Sequence, residues 1–574
     1  MKTFVKNNIK HIASFTITIL YIVCVYFCIN IHFSTNDDRF MGELLSGSIT
    51  GKPETHLVYV NYLLSLALSL LYKISLNISW FGIMLVFFHG FSCFCILDSF
   101  FSKSKTKLDY FVSIILVGLL FSTQLYLISK ISYTITATFM AVAGYIALFF
   151  RENKKTRLGY FILLELLAIL LRDKAMLMIQ PLGFAVYIGL VLTKQGTKLK
   201  TKFAELFKIA IVIIFIAVFS ITSNKLGYLS EEWKTYNEYN KVRTTLFDYT
   251  EFAEYDEVSH ILEKYNVSEN EYNGYKNYAI LDYSLSLDCI KELANYMENK
   301  ESSYSLSTLF NDFKIATFQS HYWKTNILLL FGWICTLAFI VLSGNLRGLL
   351  SLGLLFISRN IIWFYLLYEG RLPLRISMPL FACELVLLCA IIFYYYRSKP
   401  KYKLVQKLSL ILIGFVLCIV GLWSAKIQFT NFKLMNQGEK IYMKGLEEVL
   451  DYCNSKPENK YILDTFSFMW YNGNALSSTF YGKRNCITAG NWFSNSPSAL
   501  EGNATYLSDT EDGFYFIMLS ESESTDEEMT NPIVLYLSEK TSCEPTIIDT
   551  FTASHGGIYS VIYFDKELKL NLNP

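Results

Sequence analysis

Long apolar stretches separated by short charged segments dominate the chain up to about residue 423. Each approaches the roughly 20 residues that an α-helix needs to cross a bilayer. They predict about eleven membrane-spanning helices. Two of these helices are joined by the charged turn Arg172-Asp173-Lys174. The predicted crossings are His11–Ile31, Trp80–Phe101, Tyr110–Ile128, Ile131–Phe150, the two halves of Leu158–Leu192, Ala204–Ile221, Asn326–Leu342, Leu349–Leu367, Pro373–Tyr396 and Val405–Trp423.

Positive charge in the short connections predicts the orientation, because cytoplasmic loops are enriched in Lys and Arg. The basic segments are Lys2–Lys10, Lys103–Lys107, Arg151–Arg157, Lys194–Lys202 and Arg397–Lys407. All of them can be cytoplasmic only if the short apolar stretch Leu57–Leu71 does not cross. We therefore predict an interfacial or re-entrant helix there, a cytoplasmic N-terminus that is a retained anchor, and an outer face that carries everything after about residue 426.

The same pattern divides the chain into four parts: a membrane core at 1–222, an outer insertion at 223–322, further membrane helices at 323–426 and a soluble domain at 427–574. The insertion is acidic, with 17 Asp and Glu against 9 Lys and Arg, and Glu254–Lys264 and Asp288–Met297 have helical periodicity. In the last part Ile441–Tyr452 predicts a helix. Alternating or β-branched runs predict strands at Tyr461–Asp464, Phe514–Leu519, Pro532–Leu537, Thr546–Ile548 and Ile558–Phe564.

The predicted fold class is thus an α-helical integral membrane protein with a C-terminal extracytoplasmic α/β or α+β domain. Composition agrees, since 53% of the residues are hydrophobic and only 17% are charged, which excludes a disordered chain and an ordinary cytosolic enzyme. A formal net charge of +2 gives no indication of nucleic-acid binding. Cys289, Cys453, Cys486 and Cys543 fall in the predicted outer regions, where disulfides are permitted, and their spacing leaves the pairing open.

The acidic pair Asp37-Asp38 is the strongest candidate for chemistry. It follows the outer end of the first predicted crossing, where two adjacent carboxylates are costly against apolar surroundings unless a proton, cation or substrate compensates them. One interpretation is a general base with a partner that orients it or binds a metal. The other is a hydrated turn in which Arg39 neutralises the pair.

Two cationic turns lie on the same predicted outer face. Arg172 and Lys174 flank Asp173, and Arg371 and Arg375 are four residues apart, so one helical face could present both. Cations on the outer face run against the inside bias and can hold a phosphate or pyrophosphate. The structural alternatives are a self-neutralised turn and an interfacial anchor.

Two further positions are weaker candidates for substrate binding. His56 follows Pro53-Glu54 and precedes the interfacial stretch, although a single histidine is more often a structural hydrogen-bonding residue. Arg243 lies in a segment of the insertion that mixes aromatic and charged residues, a composition that suits sugar binding. A packed surface helix is the more common explanation of such a segment.

The order of these features resembles the C-type (GT-C) glycosyltransferases that use polyprenyl-phosphate sugars, of the protein O-mannosyltransferase and aminoarabinose-transferase kind. The resemblance is carried by Asp37-Asp38 after the first crossing, by Gly51-Lys52-Pro53-Glu54-Thr55-His56-Leu57 leading into an apolar stretch that ends near Tyr72, by Leu171-Arg172-Asp173-Lys174 with Pro181, and by the soluble domain after the last crossing. It is strongest over residues 1–200. Two features depart from the family. His56 stands where the family often shows a His-Pro-Pro-like string, so the second proline pattern is absent, and the insertion is large; both indicate a separate bacterial branch.

The resemblance implies an inverting transfer of a sugar from a polyprenyl-phosphate carrier to an envelope glycan or glycolipid on the outer face of the cell membrane. It implies Asp37 or Asp38 as the base, and Arg172, Lys174, Arg371 and Arg375 as the group that holds the departing lipid phosphate. No cofactor is implied, although a divalent cation could bridge Asp38 and the phosphate. The alternatives are a polysaccharide polymerase that acts on lipid-linked repeats and a non-enzymatic transporter of lipids or oligosaccharides.

Overall fold

A computed structural model describes residues 2–151, 153–300, 306–316, 323–370, 372–397, 403–468, 472–479, 485–507, 513–520 and 528–572. Long helices build most of it. Those of the bundle are α1 (Lys2–Cys28), α2 (Asn36–Ser46), α3 (Tyr62–Ile74), α4 (Trp80–Lys103), α5 (Lys107–Ser129), α6 (Tyr133–Phe150), α7 (Lys154–Leu171), α8 (Asp173–Thr193) and α9 (Leu199–Gly227), with α15 (Trp323–Leu342), α16 (Gly348–Tyr368), α17 (Leu374–Tyr396) and α18 (Lys403–Ser455). A two-stranded parallel ladder joins β1 (His32–Phe33) to β2 (Lys130–Ile131).

Within the described residues, eight helices are long and apolar enough to cross a membrane: α1, α4, α6, α8, α9, α16, α17 and α18. Large apolar side chains on them are exposed, among them Phe15, Phe207 and Leu422. Such a surface suits lipid and would be unfavourable in water. The chain is therefore consistent with a helical membrane protein. Each of the eleven predicted crossings overlaps a helix, and their number as crossings stays a prediction.

Two helices form the centre of the bundle. Every residue of α6 is buried, and α17 is buried over nearly its whole length. The other helices pack around them. The stretch predicted not to cross is the 13-residue helix α3, whose preceding residue Asn61 donates its backbone N–H to Leu170 O at the end of α7 (2.9 Å). A helix of this length spans about 20 Å, too short for a bilayer core of about 30 Å.

The basic connections gather at one end of the bundle. Lys10 Nζ donates to Ser104 O (2.7 Å), and Arg397 Nη1 lies 3.3 Å from Asp109 Oδ2. The Arg172-Asp173-Lys174 turn lies at the opposite end, since α7 ends and α8 begins there. This separation agrees with the grouping of loops predicted from charge. Which end faces the cytoplasm stays a prediction.

The C-terminal part contains a five-stranded mixed sheet in the order β4-β3-β5-β7-β6. Its strands are β3 (Tyr461–Leu463), β4 (Cys486–Thr488), β5 (Phe514–Ser520), β6 (Thr546–Thr552) and β7 (Ile558–Phe564), and its helices beyond α18 are α19 (Thr465–Phe468), α20 (Pro497–Leu507) and α21 (Pro532–Thr541). Strand β3 pairs parallel with β4 and β5, whereas β7 pairs antiparallel with β5 and β6. The predicted mixed α and β composition is confirmed.

One predicted strand is wrong. Pro532–Leu537 belongs to the helix α21, because the Asn531 side chain accepts the Ile533 N–H at the helix N-terminus and Pro532 occupies the first turn, where its missing N–H costs nothing. Strand β4 was not predicted from the sequence. The predicted strands at Tyr461–Asp464, Phe514–Leu519, Thr546–Ile548 and Ile558–Phe564 correspond to β3, β5, β6 and β7.

The insertion is helical and packs on the C-terminal domain. Its helices are α10 (Glu231–Asp248), α11 (Tyr255–Lys264), α12 (Glu269–Lys276), α13 (Leu287–Lys300) and α14 (Leu306–Lys314), so both helices predicted there are confirmed. Ala279 and Leu281 enter the core of the domain, and Ile280 N donates to Ala489 O (2.9 Å). The buried Asp282 pairs with Lys540 of α21.

The domain is held against the bundle in two ways. Helix α18 runs for 53 residues without a break from the bundle into the domain, across residues 426 and 427. The segment 472–479 also returns to the bundle, where Phe33 N donates to Gly473 O (3.0 Å) and Ala475 N donates to Ile31 O (2.9 Å). We call this end of the bundle the domain end.

Candidate active site

Asp37 and Asp38 lie in the first turn of the helix α2. Thr35 precedes the helix in extended conformation and donates its backbone N–H to Asp38 Oδ2 (3.2 Å). This contact between residues three apart stabilises a helix start. The helix ends at Gly47, whose φ of 80° is a left-handed conformation that glycine adopts without a steric penalty.

The Asp38 carboxylate is fully buried, and both of its oxygens accept hydrogen bonds. Oδ1 accepts the Tyr133 backbone N–H (2.9 Å) at the start of α6, and Oδ2 accepts the Thr35 hydroxyl (2.8 Å). Burial raises the pKa of Asp38 from 3.8 to about 6, against the lowering effect of the Tyr133 and Thr35 hydrogen bonds and of Arg375. Asp38 thereby ties α2 to the central helix of the bundle.

Asp37 is the more accessible member of the pair. Its Oδ2 accepts a hydrogen bond from Arg375 Nη1 of α17 (2.9 Å), and both side chains are about one quarter exposed, at 23% and 24%. The second cationic turn thus contacts the acidic pair. The sequence predicted that these two features lie on the same face. Arg371, the other arginine of that turn, lies outside the described residues.

Arg172 lies near the acidic pair, where it contacts Tyr59 and Tyr133. Its Nη1 donates to Tyr59 O (3.4 Å), and its guanidinium lies 5.1 Å from the ring centroids of both Tyr59 and Tyr133. Tyr133 lies within electrostatic range of Arg172, Arg375, Asp37 and Asp38. The structure therefore brings Asp37, Asp38, Arg172 and Arg375 together at the domain end. Lys174 is exposed at the start of α8, and its backbone N–H donates to the Asp173 carboxylate (2.6 Å).

His56 lies where the segment before α3 meets α9 and α10. Its Nε2 donates to Gly227 O (3.0 Å), its Nδ1 lies 2.9 Å from Glu54 Oε1, and its ring stacks on Trp233 with centroids 4.1 Å apart. Both ring nitrogens are engaged by the protein, and the stack connects the segment before α3 to α9 and α10. This environment favours the structural interpretation of His56 over substrate binding.

A cleft of about 140 Å³ separates α2 from the C-terminal domain. Its walls are Asn36, Asp37, Arg39, Phe40 and Glu43 of α2, together with Leu446, Leu450, Leu463, Thr465, Phe468, Thr488, Gly490, Asn491 and Trp492 of the domain. Arg39 pairs with Glu43 (Nε to Oε1, 2.9 Å), whereas the cation that pairs with Asp37 is Arg375. The predicted alternative, in which Arg39 neutralises the aspartates, stays a prediction. Asp37 faces a space that can admit a small polar group.

Arg243 lies close to this cleft, on α10. It is buried, its Nε donates to Asn240 Oδ1 (3.0 Å), and Tyr59 and Tyr278 are among the groups that interact with it electrostatically. The sequence indicated Arg243 through local composition and gave no indication of Tyr59, Tyr133 and Tyr278. With 40 tyrosines in the chain, no spacing signal marks those three.

Among the residues that the structure describes, no group of three or more His, Cys, Asp or Glu side chains is placed to hold a metal ion. The acidic pair contributes two carboxylates, and both oxygens of Asp38 already accept hydrogen bonds from the protein. The bridging divalent cation considered from the sequence stays a prediction.

Comparison with known proteins gives no relative: no protein-family model, no curated protein and no solved structure matches this chain.

Proposed function

We propose that the chain is an integral membrane glycosyltransferase of the C-type. It would move a sugar from a polyprenyl-phosphate carrier to a cell-envelope glycan or glycolipid on the outer face. The observation that supports it best is the pairing of Arg375 with Asp37, a residue that lines the cleft beneath the C-terminal domain. A carboxylate and arginines at the lipid–water boundary are the groups that this transfer needs.

Asp37 is the base in this mechanism, because it lines the cleft while the oxygens of Asp38 are occupied by Tyr133 and Thr35. Asp38 is a positioning residue that fixes the first turn of α2. The acceptor hydroxyl gives its proton to Asp37, and its oxygen forms a bond to the anomeric carbon of the donor sugar. The bond from that carbon to the phosphate oxygen breaks, and configuration at the carbon inverts.

Arg172 and Arg375 would hold the departing lipid phosphate. Guanidinium groups bind phosphate through two parallel hydrogen bonds, and cations that are fixed before the reaction stabilise charge as it develops. Arg375 would exchange its contact with Asp37 for the donor phosphate, which leaves the Asp37 carboxylate available as base. Lys174 and Arg371 would add positive charge around the lipid headgroup.

The membrane placement is part of the proposal. About eleven crossings, a cytoplasmic N-terminus and an extracytoplasmic domain put the acids and cations at the outer mouth of the bundle. The insertion and the C-terminal domain, which pack together, would bracket the acceptor above that mouth.

The test is Asp37→Asn, with Asp256→Asn as a matched control. Asp256 is an exposed carboxylate in the first turn of α11, and it does not line the cleft. We expect Asp37→Asn to insert normally, to lower transfer at least about 100-fold as loss of a general base does, and to accumulate lipid-linked sugar, whereas the control behaves as wild type. Measured envelope sugar composition that is unchanged in Asp37→Asn would falsify the assignment.

A transporter of lipid-linked saccharides is the second candidate, and one observation favours it. Arg359 of α16 and Glu384 of α17 form a buried pair in the middle of two membrane helices (Nε to Oε1, 3.3 Å), and buried charges at such depth often mark transport pathways. Purified protein in vesicles separates the candidates. Formation of a glycosidic bond supports the enzyme, and translocation without bond formation supports the transporter.

A further inference from the structure

Arg243 is a buried cation whose described hydrogen-bond partners are neutral. It is 4% exposed, its Nε donates to Asn240 Oδ1 (3.0 Å), and its Nη2 donates to Thr244 Oγ1 (3.2 Å). Within the described ranges, no carboxylate lies within 4 Å of this guanidinium. A buried charge without a counter-charge is unfavourable, so an anionic ligand would relieve the cost.

Tyrosines surround this guanidinium. Tyr59, Tyr278, Tyr275 and Tyr236 lie within electrostatic range of it. Phenol groups donate and accept hydrogen bonds, and aromatic faces pack on the apolar face of sugar rings as they do on other flat apolar surfaces. The surroundings therefore suit a saccharide that carries an acidic group.

Two of these tyrosines are presented by backbone in an unfavourable conformation. Val58, directly before Tyr59, has a φ of 58°, and Tyr278 itself has a φ of 65°. Left-handed backbone is disfavoured for bulky residues and most of all for β-branched ones. Such conformations persist where surrounding structure enforces them and often occur at ligand sites.

The arginine and its tyrosines adjoin the cleft that contains Asp37. The Tyr59 ring lies 4.9 Å from the Trp492 ring, and Trp492 lines the cleft. Gly490, also on the cleft wall, packs so closely on Tyr278 that a Cβ there would lie 2.1 Å from the Tyr278 carbonyl oxygen. Tyr278 in turn interacts electrostatically with Asp37.

We infer that Arg243, Tyr59 and Tyr278 form an anion-binding subsite next to the cleft, which takes a carboxylate or phosphate group carried by the acceptor saccharide. Identifying the ligand as the acceptor rests on the proposed glycosyl transfer. The lipid phosphate of the donor is assigned to Arg172 and Arg375 of the bundle, whereas Arg243 belongs to the insertion. The acceptor class is therefore an acidic glycan, either uronic-acid-containing or phosphorylated.

Thermal unfolding of the full-length protein in detergent tests the subsite with three probes: glucuronic acid, glucose 6-phosphate and glucose. We expect an acidic probe to raise the Tm of wild type and glucose to leave it unchanged. Arg243→Gln should raise the apparent Kd for the acidic probe at least about tenfold, the worth of a charged hydrogen bond. Arg243→Lys should retain part of the affinity. Lys241→Gln is the matched control, since Lys241 is an exposed cation on the same helix.

Each outcome of the probe experiment either supports or overturns the subsite. A shift with glucuronic acid identifies a uronate, and a shift with glucose 6-phosphate alone identifies a phosphorylated acceptor. No shift with either probe, or an equal shift in wild type and Arg243→Gln, overturns the subsite. An Arg243→Gln variant with a lower Tm in the absence of probe and unaltered probe affinity assigns Arg243 a structural role instead.

Probe binding needs neither the lipid donor nor turnover, so it fails independently of the proposed function. Lost probe binding in Arg243→Gln together with normal envelope composition in Asp37→Asn keeps the subsite and removes the transferase. The reverse result keeps the transferase and removes the subsite.

Discussion

Asp38 should make the protein less stable as the pH rises through the acidic range. Burial raises the folded-state pKa of this carboxyl to about 6 from 3.8, so between these values the folded state binds the proton more tightly than the unfolded state does. Stability falls with pH wherever the folded state holds more protons. The loss is complete above the folded pKa, where Asp38 is ionised in both states.

A pKa difference of this size corresponds to about 3 kcal/mol. The carboxamide of the Asp38→Asn variant cannot ionise, so that variant lacks this contribution. The measurement is the Tm of wild type and Asp38→Asn in detergent at intervals from about pH 4 to about pH 8. We expect the Tm of Asp38→Asn, relative to wild type, to increase as the pH rises to about 6.5 and then to level off.

The difference between the two proteins removes the contribution of other titrating groups that behave alike in both. The amide nitrogen introduced by Asp38→Asn cannot accept a hydrogen bond, and this loss shifts the comparison equally at every pH, so the slope alone carries the prediction. Asp173→Asn, which removes an exposed carboxylate, should show no such slope. A Tm difference between Asp38→Asn and wild type that is constant over the range would refute the burial argument.

Two further predictions concern the domain. Lys540→Met leaves Asp282 buried without its cation, which should lower folding stability by about 3–5 kcal/mol and expose residues 223–300 to limited proteolysis. Lys566→Met, at an exposed site, is the control, and equal digestion of both variants would contradict the role of the pair. The thiols of Cys453 and Cys486 interact with each other inside the domain. If the domain is extracytoplasmic, we expect a disulfide between them, and peptide mass mapping that finds both thiols free in protein from intact cells would argue against that orientation.

The helices of the bundle could be predicted because each is encoded by a long run of almost exclusively apolar residues. A run of about 20 apolar residues has few alternatives to a buried or lipid-facing helix. The non-crossing stretch before Tyr72 followed from the arrangement of charged loops, and the structure has the short helix α3 there. Its start was predicted at Leu57 and lies at Tyr62, because Asn61 caps the helix through the Leu63 N–H.

Short elements were harder because local signals compete. Ile533, Val534 and Leu535 favour a strand by propensity, yet Asn531 and Pro532 start a helix, and a capping side chain outweighs a few tenths of a kilocalorie of preference. Asp37 and Asp38 also give a misleading local signal, because Asp is common in turns. The contact from Thr35 to Asp38 makes them the first turn of α2.

The candidate site was predictable only in part. Asp37 and Arg375 are 338 residues apart, and their meeting follows from topology, since both were assigned to the same end of the bundle. That reasoning identifies the end of the bundle and not the contact. The sequence did not indicate Tyr59 and Tyr278 either: Val58 and Tyr278 have a positive φ, which single-sequence patterns do not encode.

The unbroken helix α18 has a mechanical consequence. Its 53 residues extend about 80 Å, of which a bilayer core accounts for about 30 Å. Leu446 and Leu450 of its upper part form one wall of the cleft. If α18 crosses the bilayer as predicted, tilting it in the lipid would move Leu446 and Leu450 relative to α2, and the width of the cleft would change with the tilt.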